Sequence, residues 1–127
     1  MARDTDEVRV RRVYEAPDAA DGTRVLVDRL WPRGLSKAAA ELDEWDKDVA
    51  PSDGLRRWYG HDPAKFDEFA ERYRAELAGE DGERAVRELC ERVGSGRLTL
   101  LTATKDVEHG HVVVLADVVR GVRRGRS

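Results

Sequence analysis

A chain of 127 residues, 40% hydrophobic and 39% charged, fits one domain with a real core and a densely ionic surface, which excludes both disorder and a multi-domain array. Its net charge of −3, with acids and bases interspersed, argues against a uniformly basic nucleic-acid binder, although a local basic patch is still open. One cysteine excludes an internal disulfide. No apolar signal region opens the chain and no run is long enough to span a membrane, so a cytoplasmic protein without a membrane partner is expected.

The basic residues are 19 Arg against 4 Lys, and Ile, Asn and Gln are absent. This reads as a bias of the coding genome, so arginine abundance by itself is not a phosphate-binding signal.

Residues 1–7 are polar and expected to be loose. Val8 to Val13, V-R-V-R-R-V, alternates and then breaks, which predicts a strand with one buried face. Its adjacent arginines suit a sheet edge. Glu15 to Thr23, with Pro17, Asp21 and Gly22, predicts a loop. Arg24 to Val27 predicts a second, buried strand, which runs into D-R-L-W-P-R-G, Asp28 to Gly34. Pro32 fixes its own φ and pushes Trp31 out of helical geometry, while Gly34 lets the backbone turn.

Ser36 caps a short turn through three alanines. Leu42 to Ala50 is ambiguous between helix and strand. Ser52 caps a short helix that stops at Gly60. Asp62 and Pro63 start the next helix, whose inward face is Phe66, Phe69, Ala70, Tyr73 and Leu77. Gly79 ends it, and G-E-D-G connects to a second amphipathic helix with Val86, Leu89, Cys90 and Val93 inward. Cys90 on that face reads as a small core hydrophobe.

Arg97 to Ala103 predicts an internal strand ending in Thr104, Lys105 and Asp106. His111 to Val119 reads as a strand by propensity and as a helix by periodicity. A helix is chosen because an α/β unit requires one after a strand. The tail from Arg120 is expected to be mobile, as are residues 121–127 generally. The whole reads as a single small α/β domain over 1–127, with a mainly parallel sheet flanked by helices.

Familiar catalytic strings are missing. Gly94-Ser95-Gly96 precedes a strand and is a turn, and there is no Walker string, G-x-S-x-G or C-x-x-C. His109 and His111 lie two apart with His61 distant, so a three-histidine metal site is conceivable, but the loop after Asp106 offers no obvious groups to orient such ligands; no metal is assigned and no cofactor is identified.

The site candidates come from convergence. Two strands end in mixed charge, Asp28 with Arg29 and Lys105 with Asp106. If they are parallel neighbours, these groups lie together at the carboxyl edge of the sheet, where α/β folds place ligands. His111 then falls at the amino end of the following helix, beside N–H groups that favour an anion. A purely structural salt-bridge network is the competing reading. Asp28, Lys105 and His111 are the candidate catalytic groups. Arg29, Trp31, Arg33, Arg56, His61 and Asp106 are the candidate ligand-binding groups, with Arg33 as main anion contact and Asp28 orienting an arginine.

The strings D-R-L-W-P-R-G, W-D-K-D-V-A-P-S, L-R-R-W-Y-G-H, F-A-E-R-Y-R-A-E-L, L-T-L-L-T-A-T-K-D and H-G-H-V-V-V-L resemble the YeaO-like family, from about Val8 to Val119. The family is a branch of a larger group with a domain of unknown function. The resemblance implies a small cytoplasmic α/β protein and no established activity. It includes the nine candidates above and adds Pro32, Gly34, Lys47, Pro51 and Ser52 as matching positions. Thr102 stands where the family commonly has tyrosine, and Gly110 where it commonly has asparagine. A transcription-regulator role, suggested for some members, finds no helix-turn-helix here.

Three function classes follow. The first is an enzyme-like pocket for an anionic small molecule bearing phosphate or carboxylate. The second is a protein-interaction or regulatory domain without chemistry. The third is a nucleic-acid-associated module using Arg9, Arg11, Arg12 and the tail.

Overall fold

The computed structural model describes residues 7–125. Four strands form one parallel sheet in the order β1-β4-β2-β3. They are β1 (Val8–Arg12), β2 (Thr23–Leu26), β3 (Glu44–Trp45) and β4 (Leu98–Thr102). The helices are α1 (Lys37–Ala40), α2 (Asp53–Tyr59), α3 (Phe66–Ala78), α4 (Glu80–Val93) and α5 (His111–Gly125). The expected α/β architecture is therefore present, and β1 does lie at an edge. The ambiguous segment after Leu42 supplies the other edge as a two-residue strand, short enough to offer little to a foreign strand.

The central strand β4 is buried along its whole length, yet its side chains still alternate between two cores. Leu98 and Leu100 join Val8, Val25 and Val27 against α2 to α5. Leu101 joins Leu26 and Val13 on the opposite face, where Trp31, Leu35, Leu42 and Trp45 cover them. The longer helices thus crowd one face, and a chain segment with two tryptophans closes the other.

Caps set the helix bounds. The Ser52 hydroxyl accepts from the Leu55 N–H at 3.2 Å, and Gly60 ends α2 in the left-handed region. Asp62 accepts from the Ala64 N–H at 3.0 Å, opening a single 3-10 turn before α3. The G-E-D-G connector is shorter than expected, because α4 begins at Glu80, directly after Gly79. Gly82 lies inside that first turn. A Cβ there would fall 2.2 Å from the Glu76 carbonyl oxygen, so only glycine lets α4 fold back on α3 so closely.

The loop before β2 holds a buried ionic knot. Asp21, 0% exposed, accepts from Arg11 at 2.9 Å and from Arg24 at 2.5 Å, with Arg9 3.7 Å away. Burial raises the Asp21 pKa, but the hydrogen bonds from Arg11, the Asp18 N–H and Arg24 outweigh it and hold the carboxyl below its ordinary range. Arg12 donates to the Thr104 and Ala103 carbonyls at 3.2 and 3.3 Å. The β1 arginines are committed to the fold itself.

The carboxy-terminal segment departs from expectation. Residues 121–125, expected to be mobile, continue α5. Val122 packs on the main core, and Arg123 donates to the Gly94 carbonyl at 3.2 Å and to that of Gly96. The apolar positions after Arg120 were too sparse to reveal a docked turn. The expectation for residues 1–6 and 126–127 lies outside the described residues. No helix among the described residues is long and apolar enough to cross a membrane.

Candidate functional site

The site begins where the two central strands end side by side. Leu26 pairs with Leu101, and the Val27 N–H donates to the Leu101 carbonyl at 3.1 Å. The next residue, Asp28, turns across to β4. Its carboxylate accepts from the Thr102 hydroxyl and from the Ala103 N–H, both at 2.8 Å. The expectation that Asp28 orients an arginine is thereby corrected. Two donors at the end of β4 reach it first, because parallel strands in this register bring them within bonding distance.

The rest of D-R-L-W-P-R-G is tied down residue by residue. The Trp45 indole donates to the Asp28 carbonyl at 2.7 Å, and the Trp31 indole to the Leu35 carbonyl at 2.6 Å. The two indoles meet edge to face with centroids 5.2 Å apart. The Tyr14 hydroxyl donates to the Arg33 carbonyl at 3.0 Å. Gly34 then takes φ +72°, the turn that the sequence predicts.

His111, the first residue of α5, comes in from the opposite side. Its Nε2 lies 3.0 Å from the Val27 carbonyl and 3.4 Å from Asp28 Oδ1. A carbonyl only accepts, so Nε2 carries the proton and Nδ1 is the acceptor of the neutral ring. Burial lowers the His111 pKa against the pull of Asp28, and the charges of Arg56 and His61 lower it further. The ring packs edge-on to Tyr73, 6.0 Å between centroids, which explains its poor access to water.

Around this pair opens a cleft of about 760 Å³. All nine sequence candidates line it, drawn from four separate stretches of chain: the loop after β2, the α2 region, the loop after β4 and the start of α5. They differ in how far they are already engaged. Arg29 donates to the Pro51 carbonyl at 3.3 Å and lies 3.5 Å from Asp53. Arg56 lies 3.5 Å from the same Asp53 carboxylate, and its buried Nε has no hydrogen-bond partner. Asp106 meets His109 at 2.8 Å. The Trp31 indole N–H is used within its own loop. The side chains of Arg33 and Lys105 have no partner among the described residues. His61 follows Gly60 with φ +57°, an uncommon conformation for a side-chain-bearing residue, and its ring centroid is 6.3 Å from that of Tyr59.

Sequence reasoning missed Tyr14, Arg57, Tyr59 and Thr102. Arg57 is a third cation on the cleft lining without a side-chain partner among the described residues. Tyr59 donates to the His109 carbonyl at 2.5 Å, and burial raises its pKa, so the phenol keeps its proton. The one available signal was position, since Arg57 and Tyr59 share the string L-R-R-W-Y-G-H with Arg56 and His61. Gly110, buried at the back of the cleft, leaves room where a Cβ would touch Thr104 Cγ2 at 3.4 Å.

The sequence profile described as the inactive DUF488-N3 subclade matches residues 7–124. The chain belongs to this family. An uncharacterized protein of Mycobacterium tuberculosis is 49% identical over 121 residues, covering 95% of this chain and 99% of that protein. An uncharacterized protein of Mycobacterium bovis matches with the same figures, 49% over 121 residues. The uncharacterized protein YeaO of Escherichia coli is 40% identical over 115 residues, 91% of this chain and 98% of its own length. The YeaO-like resemblance read from the motifs is thus borne out across the domain. No solved structure matches the chain.

Proposed function

We propose that the cleft of this DUF488-N3 member binds an anionic small molecule through phosphate or carboxylate, and holds it without turning it over. The observation that carries this reading is a set of cations lining the cleft, Arg33, Arg57 and Lys105, whose side chains have no partner among the described residues. All three are exposed, and in a chain of net charge −3 their gathering on the lining of one cleft gives a local positive field that attracts an anion. Arg33 is bracketed by Pro32 and Gly34 on a backbone fixed by Tyr14, so its guanidinium loses little freedom on meeting two anionic oxygens. The amino end of α5 adds partial positive charge near His111.

Binding without turnover suits the local bonding. Each Asp28 oxygen already accepts a hydrogen bond, from Thr102 or Ala103, which steadies the charged carboxylate and makes it a less ready base. The family description, an inactive subclade, agrees with that reading. Asp28 and His111 then shape the floor of the cleft, and Lys105 binds. A catalytic role for the three is the second reading. The observation that favours it is the single tautomer of His111, which leaves Nδ1 as a ready acceptor.

Calorimetry with inorganic phosphate, nucleotides, sugar phosphates and carboxylates tests the proposal. At least one should bind, and Arg33→Lys should weaken it by about 1.5–3 kcal/mol, roughly 10- to 150-fold, with the fold intact. If no anion binds, or if Arg33→Lys binds as well as the wild type, the anion reading fails and the interaction-domain reading takes its place. Turnover of the bound anion, lost in His111→Gln, would establish the catalytic reading instead.

A further inference from the structure

Among the described residues, two large hydrophobic side chains are exposed, Leu30 at 66% and Tyr14 at 44%. Both line the cleft that holds the unpaired cations. Scattered exposed hydrophobics need no explanation, but here they coincide with one concave site. Neither sits on a loose segment. Leu30 lies between Asp28, whose carbonyl is held by Trp45, and Trp31, whose indole is held by Leu35. Tyr14 is anchored by its hydroxyl to the Arg33 carbonyl, and the Arg12 guanidinium lies 5.1 Å from its ring centroid. The fold therefore holds two apolar side chains in water on the lining of a cleft that also carries cations.

The volume agrees. A cleft of about 760 Å³ is far larger than a phosphate or carboxylate group needs and lies in the range of sites for whole small molecules. Apolar surface held open to water is a standing cost that a ligand's own apolar surface removes on binding.

We infer that the ligand is bipartite, an anionic group met by Arg33, Arg57 and Lys105 joined to a flat apolar ring that covers Leu30 and Tyr14. The chemical class is a ring-bearing phosphate or carboxylate, such as a nucleoside monophosphate or an aromatic acid. This rests on the anion reading above and adds the ring to it.

Three probes separate the two ideas by calorimetry on the full chain: inorganic phosphate, phenyl phosphate and adenosine monophosphate. A ring-bearing probe should bind at least about tenfold more tightly than inorganic phosphate, the worth of burying an apolar ring. Leu30→Ser should remove most of that advantage and leave inorganic phosphate binding unchanged, whereas Tyr14→Ala, which also releases the Arg33 backbone, should remove the advantage and weaken phosphate binding as well. Leu30 is so exposed that its replacement cannot unfold the protein, and Tyr14→Phe, which keeps the ring, should retain the advantage. Equal binding of all three probes, or a ring advantage that survives Leu30→Ser, overturns the bipartite ligand while the anion site stands. Tighter binding of adenosine monophosphate than phenyl phosphate identifies a nucleotide, and the reverse a simple aromatic ester. Binding of none of the probes overturns the bipartite ligand, and the anion site falls with it if the sugar phosphates and carboxylates above also fail to bind.

Discussion

The Asp28 carboxylate and the His111 imidazole lie 3.4 Å apart, yet each takes its shorter hydrogen bonds elsewhere. Asp28 is held by Thr102 and Ala103 at 2.8 Å, and His111 by the Val27 carbonyl at 3.0 Å. The pair joins the ends of both central strands to the start of α5, so the cleft floor and the fold share the same bonds.

This arrangement predicts a pH dependence. His111 has a folded pKa below its ordinary 6.5, so between the two values the unfolded chain binds a proton that the folded chain does not. Its contribution to stability is complete above about pH 6.5 and declines as pH falls through that value toward the folded pKa. Calorimetric unfolding as a function of pH should show this loss, and His111→Gln should abolish it. An NMR titration should find the His111 midpoint below that of a free histidine, and lower again in Asp28→Asn, where the attracting charge is gone. A midpoint above 6.5 would contradict the burial argument.

Asp21 should be among the most sensitive positions in the chain. Its removal leaves Arg11 and Arg24 with a missing counter-charge at a site where Asp21 is fully buried. Asp21→Ala should cost on the order of 3–5 kcal/mol, the usual penalty for breaking a buried ion pair from one side. For a domain of this size the midpoint of thermal unfolding should fall by more than about 10 °C. A fall of only one or two degrees would mean that the arginines find water instead.

Cys90 should be inert. It is 1% exposed on the inward face of α4 with Val86 and Leu89. Native protein should resist a thiol reagent that labels the unfolded chain at once. Cys90→Ala should cost about 1 kcal/mol or somewhat more through lost contacts.

Deleting residues 122–127 should destabilise the protein, because the deletion removes Val122 from the core and the Arg123 bonds to the Gly94 and Gly96 carbonyls. A loss of roughly 1 kcal/mol or more would lower the unfolding midpoint by about 5 °C. An unchanged midpoint would restore the expectation of a dispensable tail.

Much of this was legible in the sequence because the signals are local. The apolar run into D-R-L-W-P-R-G marks a strand and an abrupt turn from residue types alone. Ser36, Ser52 and Asp62 act as caps where their side chains can reach a backbone N–H two or three residues on. The spacing of Phe69, Tyr73 and Leu77 reports the inward face of α3 for the same reason. Even the convergence of Asp28, Lys105 and His111 on one cleft follows from strand ends and parallel pairing.

What only the tertiary structure decided are partnerships across long stretches of chain. Sequence shows that Asp21 and Asp28 are acids near turns, but not that three arginines gather on the one while the other meets Thr102, 74 residues away. It likewise cannot tell that Arg11 and Arg12 are spent inside the fold while the Arg33 and Arg57 side chains, on the cleft lining, find no partner among the described residues. The residues beside an arginine in the sequence do not name its partner. Its partner is set by which backbone and carboxylate oxygens the packed strands bring within about 3 Å, a distance that periodicity does not encode.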